Sequence, residues 1–131
     1  MPAALDDSAR CPCSSGARFG ECCGPIIAGL PAPTAERLMR SRFTAFATGD
    51  TAHLLRSWHP STRPAVLDLH QTTRWLWLEI VSTAGGGPFD TEGTVSFVAA
   101  YRDESGRGEL RERSRFVREG RDWLYLDGDV G

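Results

Sequence analysis

Lysine and asparagine are absent from the 131 residues, and cysteine occurs only between positions 11 and 23. Without lysine, neither Schiff-base catalysis nor a P-loop lysine on a nucleotide phosphate is available to this chain. No hydrophobic run is long enough to cross a bilayer. Met1 to Arg10 carry two aspartates and lack the apolar stretch of a secretory leader, so the expectation is a cytoplasmic protein. An excess of positive charge is also missing. Fifteen arginines stand against seventeen carboxylates for a net charge of −2, which gives nucleic acid and acidic membranes little to attract. Repeats and low-complexity tracts are lacking too. What is present, 40% hydrophobic and 24% charged residues, is the composition of a globular domain, and the length suits one core.

The four cysteines are concentrated in Cys11-Pro12-Cys13-Ser14-Ser15-Gly16-Ala17-Arg18-Phe19-Gly20-Glu21-Cys22-Cys23-Gly24, two short pairs separated by a loop. Disulfides are one explanation, but one of the three pairings joins adjacent Cys22 and Cys23, and a chain with no leader sits in reducing conditions. A tetrahedral Zn²⁺ site fits better, since it needs two short ligand pairs folded together, with Gly16 and Gly20 allowing unusual backbone angles between them. Redox use and another soft metal stay open. Cys11, Cys13, Cys22 and Cys23 are the candidate ligands of one structural zinc per chain. Arg10 and Arg18 are placed to offset the charge of four thiolates. A closed Cys₄ site leaves no open coordination position, so the metal is not expected to be catalytic.

C-P-C-x-S-G, the aromatic Phe19 and C-C-G resemble the SEC-C motif, the zinc-binding tail of the SecA translocation ATPase. Cys23 takes the place of that protein's usual histidine, and Ser14 stands where the motif commonly has glycine. The resemblance implies a zinc knuckle serving as an interaction handle for a protein partner.

Beyond the cluster, Gly29-Leu30-Pro31-Ala32-Pro33 reads as a rigid connector. Thr34 is an N-cap with Glu36 in the first turn, and a helix with apolar Ala35, Leu38, Met39, Phe43, Ala45 and Phe46 runs from there to a stop at Gly49. Asp50 caps a second helix through Leu54, Leu55 and Trp58, ended by Pro60. A turn of helix is expected around Pro64 to Leu69. Arg74 to Thr83 reads as a strand buried on both faces. Strands are expected at Gly93 to Arg102, Gly108 to Arg118 and Asp122 to Leu126, joined by short turns that imply antiparallel neighbours. The fold class is α+β, helices on a curved antiparallel sheet.

This order, with Trp58-His59-Pro60-Ser61-Thr62-Arg63, Glu112-Arg113-Ser114-Arg115-Phe116 and Trp123-Leu124-Tyr125-Leu126-Asp127-Gly128, resembles the YchJ family. The resemblance implies a SEC-C motif over 1–30 and a cone-shaped domain of the nuclear transport factor two-like superfamily over 31–131. It says little about activity, and it allows a monomer or a homodimer.

A pocket between the helices and the concave sheet is the place for chemistry. Leu110, Glu112, Ser114 and Phe116 are expected on one face of their strand, Glu79 alternates with Trp75 and Trp77, and the bend at Pro60 would bring His59 beside them. His59, Glu79, Glu112 and Ser114 are therefore the candidate catalytic residues, parts for acid-base work on a small-molecule ligand. A histidine before proline is more often a helix-end residue hydrogen-bonded to backbone, and a Glu flanked by arginines more often half of an ion pair, so the reading leans away from catalysis. Six arginines in one hairpin (107, 111, 113, 115, 118 and 121) raise the question of RNA, but interleaved Glu109, Glu112 and Glu119 read as a solvated face of ion pairs and argue against nucleic acid. Two function classes follow: a zinc-dependent adaptor without catalysis, or a small-molecule-binding or enzymatic cone.

Overall fold

The computed structural model describes residues 5–69 and 72–131; the expected segment 1–30 thus has its first four residues outside the described residues. A turn of 3-10 helix at Phe19–Glu21 and α1 (Cys23–Ile27) follow the first cysteine pair. α2 (Ala35–Thr48), α3 (Thr51–Arg56) and four strands complete the order: β1 (Arg74–Gly85), β2 (Glu92–Asp103), β3 (Gly106–Glu119) and β4 (Asp122–Val130). No described helix is long and apolar enough to cross a membrane.

Local chemistry sets the helix ends. Thr34 Oγ1 accepts from the Arg37 N–H at 3.1 Å at the N-terminus of α2, and Gly49, with φ +78°, closes its C-terminus in the left-handed region. Asp50 Oδ1 accepts from the His53 N–H at 3.0 Å and starts α3. That helix stops at Arg56 rather than continuing through Trp58. The reason is tertiary: Tyr125 N–H donates to Ser57 O at 2.8 Å and His59 N–H to Tyr125 O at 2.7 Å, so the chain leaves the helix to pair with β4. The helical turn expected near Pro64 to Leu69 does not form; those residues run as irregular chain.

The strands form one antiparallel meander in the order β1-β2-β3-β4. Register places Val95, Phe97 and Ala99 of β2 opposite Ser114, Glu112 and Leu110 of β3, all on the face toward α2. Shifts of register between Trp75 and Trp77, between Ile80 and Ser82, and between Arg115 and Phe116 interrupt the ladders, and such bulges bend strands. The expectation that β1 is buried on both faces is corrected. Only Leu78 of this strand is buried, while Trp77 and Val81 are 39% and 59% exposed, because β1 lies at the sheet edge with one face open. The core is continuous from the cysteines through Leu38, Met39 and Phe43 of α2 to Val95, Phe116 and Trp123 of the sheet.

Candidate functional site

The cysteine loop folds because its two ends pair: Arg10 and Arg18 form an antiparallel bridge, and Cys11 N–H donates to Ala17 O at 2.9 Å. Gly16 takes φ +90°, a left-handed angle that suits glycine, whereas Gly20 is needed for room, since a Cβ there would stand 2.7 Å from the Asp7 side chain. Ser14 also has φ +68°, costly for a residue with a Cβ. Its hydroxyl offsets part of that cost by accepting from the Leu78 N–H of β1 at 3.2 Å, which ties the loop to the edge strand.

All four sulfurs are buried, at most 4% exposed, and lie within 4.8 Å of one another. Cys13 Sγ stands 3.6 Å from Cys22 Sγ, and Cys22 Sγ 4.0 Å from Cys23 Sγ. Thiolates held tetrahedrally about 2.3 Å from one ion would be about 3.8 Å apart, whereas a disulfide needs about 2.05 Å. The spacing therefore fits a metal site, and all four cysteines are free. Electrostatics agrees. Hydrogen bonding from the thiols of Cys11 and Cys23 pushes Cys13 down, so it is the favoured thiolate. Cys23 is pushed up, chiefly by its hydrogen bonds to Cys11 and Cys13, and Cys22 is pushed up first by burial. Four thiolates this close together require a cation at their centre.

Helix α2 supplies the surroundings. Arg40 Nη1 donates to Cys13 O at 3.0 Å, Arg37 Nη2 to Cys22 O at 3.3 Å, and Thr44 Oγ1 lies 3.7 Å from Cys11 Sγ. Ser15 Oγ is 3.2 Å from Cys22 Sγ. Arg10 and Arg18, the expected counter-charges, are exposed and contribute backbone pairing instead, because the loop's outer surface faces away from α2. Arg37 and Arg40 went unnoticed because only packing turns that side of the helix to the sulfurs.

The opposite side of α2 faces a cavity of about 280 Å³. Its aromatic wall comprises Phe43, Phe46, Trp58, Trp75, Phe97 and Tyr125. Leu110, Glu112 and Ser114 line it as their shared face requires. Ser114 Oγ donates to Glu112 Oε2 at 2.5 Å and Tyr125 OH to the same oxygen at 3.4 Å. Burial, followed by the Glu112 charge, pushes the Tyr125 phenol up to about 12, so it remains a donor. A Cβ on Gly128 would overlap the Glu112 carboxylate, so glycine there makes its room. Arg42, 3% exposed, donates through Nη1 to Leu54 O at 2.8 Å and Ser57 Oγ at 2.7 Å. Its guanidinium carbon lies 4.6 Å from the Tyr125 ring centroid and 5.1 Å from that of Trp58. Burial lowers it to about 10, which leaves it charged at neutral pH.

Two acid-base candidates are elsewhere. His59 turns outward, with Nε2 2.8 Å from Glu119 Oε2 and Nδ1 2.7 Å from Ser61 Oγ. Pairing of Ser57 and His59 with Tyr125 puts Trp58 into the cavity instead. Glu79 is exposed on the outer face, opposite Val98, because the bulge after Trp75 separates it from that tryptophan's face. The expected His-carboxylate constellation is not assembled. Among the described residues the buried histidine is His53. Ser41 Oγ donates to Leu38 O at 2.7 Å, so His53 Nε2 donates to Ser41 Oγ at 2.9 Å, and Nδ1 accepts from Arg56 Nη2 at 2.9 Å. Burial, then the Arg56 and Arg42 charges, lowers His53 to about 4 and keeps it neutral. On the outer sheet face Arg115 pairs with Asp127 and Asp129, as a solvated face of ion pairs requires.

Residues 34–128 match the family model described as "YchJ, middle NTF2-like domain". A UPF0225 protein of Streptomyces coelicolor is 52% identical over 91% of this chain and 94% of its own length. Another, of Ralstonia nicotianae, is 46% identical over 94% and 92%. Among solved structures, a SEC-C motif containing protein from Rhodopseudomonas palustris superposes with TM-score 0.82 and 28% identity, covering 93% of this chain and 98% of that one. A second, from Psychrobacter arcticus, gives TM-score 0.78 at 25% identity, covering 98% and 86%.

Proposed function

This chain belongs to the YchJ family, and from that premise we propose that it is a zinc-binding protein whose Cys11, Cys13, Cys22 and Cys23 are the four ligands of one structural Zn²⁺. The observation that carries the reading is the convergence of four buried sulfurs at spacings that fit tetrahedral thiolate ligation. Zinc, when bound, supplies two positive charges to four thiolates and no redox chemistry. Everything else is done by the chain. Arg37 and Arg40 fix the cysteine backbone to α2, Ser14 fixes it to β1, and Thr44 packs against the Cys11 sulfur. The knuckle thus braces two walls of the cone. Burial against α2 supports a brace over a detachable handle; a protein partner would meet the exposed Ser14-Ser15-Gly16 tip.

Metal analysis of tag-free protein is expected to give one zinc per chain, and cobalt substitution the absorption of a tetrahedral thiolate site. A metal-free, folded protein with its cysteines oxidised to cystine would refute the assignment. A second reading, that the cone binds a small molecule, is favoured by the aromatic cavity with Glu112, Ser114 and Tyr125 hydrogen-bonded in its wall.

A further inference from the structure

We infer that the cone cavity is a site for a small organic cation, an amine carried on an apolar or aromatic body, with the Glu112 carboxylate as its counter-ion. The inference rests on the reading of the cone as a small-molecule site and names the ligand's chemistry. At about 280 Å³ the cavity lies near the lower limit of ligand pockets, roughly 300–1,000 Å³, so the body is small.

Charge selects the head group. Glu112 is the single carboxylate in the wall and Arg42 the single cation. Arg42 is nearly sealed, donates to Leu54 O and Ser57 Oγ, and is stacked against Trp58 and Tyr125. Glu112 is only partly buried, and its protein partners are two neutral hydroxyls, both on Oε2. Among the described residues no arginine forms an ion pair with it. A carboxylate only accepts hydrogen bonds, so Oε1 calls for a donor. The Arg42 charge acts on Glu112 from nearby without forming an ion pair, and aromatic faces beside a carboxylate oxygen without a donor attract a cation, through the ring quadrupoles and through charge. Gly128 leaves the carboxylate itself room to hold this position, since a Cβ there would overlap it.

The test compares three probes with one apolar body: 2-phenylethylamine, 2-phenylethanol and 3-phenylpropionate. Binding to the zinc-loaded full chain is followed by the indole N–H resonances of Trp58 and Trp75. The amine is expected to bind about tenfold or more tighter than the alcohol, since a charge-assisted hydrogen bond is worth ~1.5–3 kcal/mol. Glu112→Gln is expected to bring amine and alcohol level, and Gly128→Ala to weaken the amine severalfold while sparing the alcohol. An alcohol or acid that binds wild-type protein as tightly as the amine overturns the cation assignment and leaves the small-molecule reading standing. No response to any probe at millimolar concentration overturns both. The wild-type series decides the matter even where a variant fails to fold.

Discussion

The two long sides of α2 solve opposite problems. On one, Arg37 and Arg40 reach backbone carbonyls of the cysteine loop, and the negative charge of the sulfurs is left for a metal ion. On the other, Arg42 is absorbed by backbone, Ser57 and two aromatic rings, and the carboxylate of Glu112 is left without an ion pair. In both places the hydrogen bonds of the arginine go to chain segments, and its charge acts on the site only from nearby. A guanidinium with several donors in a fixed fork is well suited to holding chain segments together, and that is how this helix uses its three.

If the two sides form one cooperative unit, removing the metal should disorder both, and this is the largest effect expected. Cys13→Ser, or chelation of the wild-type protein, should cost on the order of 5 kcal/mol or more, given the strength of structural zinc sites. Denaturant titration followed by tryptophan fluorescence reads it, because Trp75 contacts α2 through Phe43 and Phe46 at the cavity. A cavity that stays intact without metal would separate the two sides.

The next effect belongs to α3, packed on a third side of the helix. His53 has its folded pKa depressed from 6.5 to about 4, so the unfolded chain takes up the proton first as pH falls. Stability from this group is present above about pH 6.5 and is lost on acidification toward pH 4, to a total of roughly 3 kcal/mol. His53→Gln should flatten that part of the stability profile; an unchanged acid limb would assign the slope to groups other than His53.

Arg42→Met comes third. It removes two hydrogen bonds and two cation-π contacts but also relieves a buried charge, for a net cost of about 2 kcal/mol by thermal unfolding. The smallest effect is at the tie between loop and sheet. Ser14→Gly relieves left-handed strain and loses the Leu78 hydrogen bond, so it should be near neutral, whereas Ser14→Ala keeps the strain and should cost about 1 kcal/mol. Equal stability of the two variants would remove the strain's role, and a Ser14→Ala variant as stable as the wild type would remove the hydroxyl's.

Legibility followed the range of the interaction. Thr34, Gly49 and Asp50 were readable as helix ends because a cap acts within three or four residues. The shared face of Leu110, Glu112 and Ser114 was readable from the two-residue period of a regular strand. That period misplaced Glu79, since one extra residue at the bulge after Trp75 reverses the side chains as far as the second bulge, between Ile80 and Ser82. His59 was misplaced for a related reason. Its direction follows from Ser57 and His59 bonding to Tyr125, a partner more than sixty residues away, which turns Trp58 inward and the histidine out.

From the chain alone came the clustered thiols, the order of helices before a meander, and the resemblance to the YchJ family, all of which depend on residue type and short spacing. Tertiary structure decided which arginines back the sulfurs, that His53 is buried while His59 turns outward, and which of the candidate acids faces the cavity. Those outcomes depend on register between distant strands and on which side of α2 each neighbour occupies, and a local pattern carries no information about either.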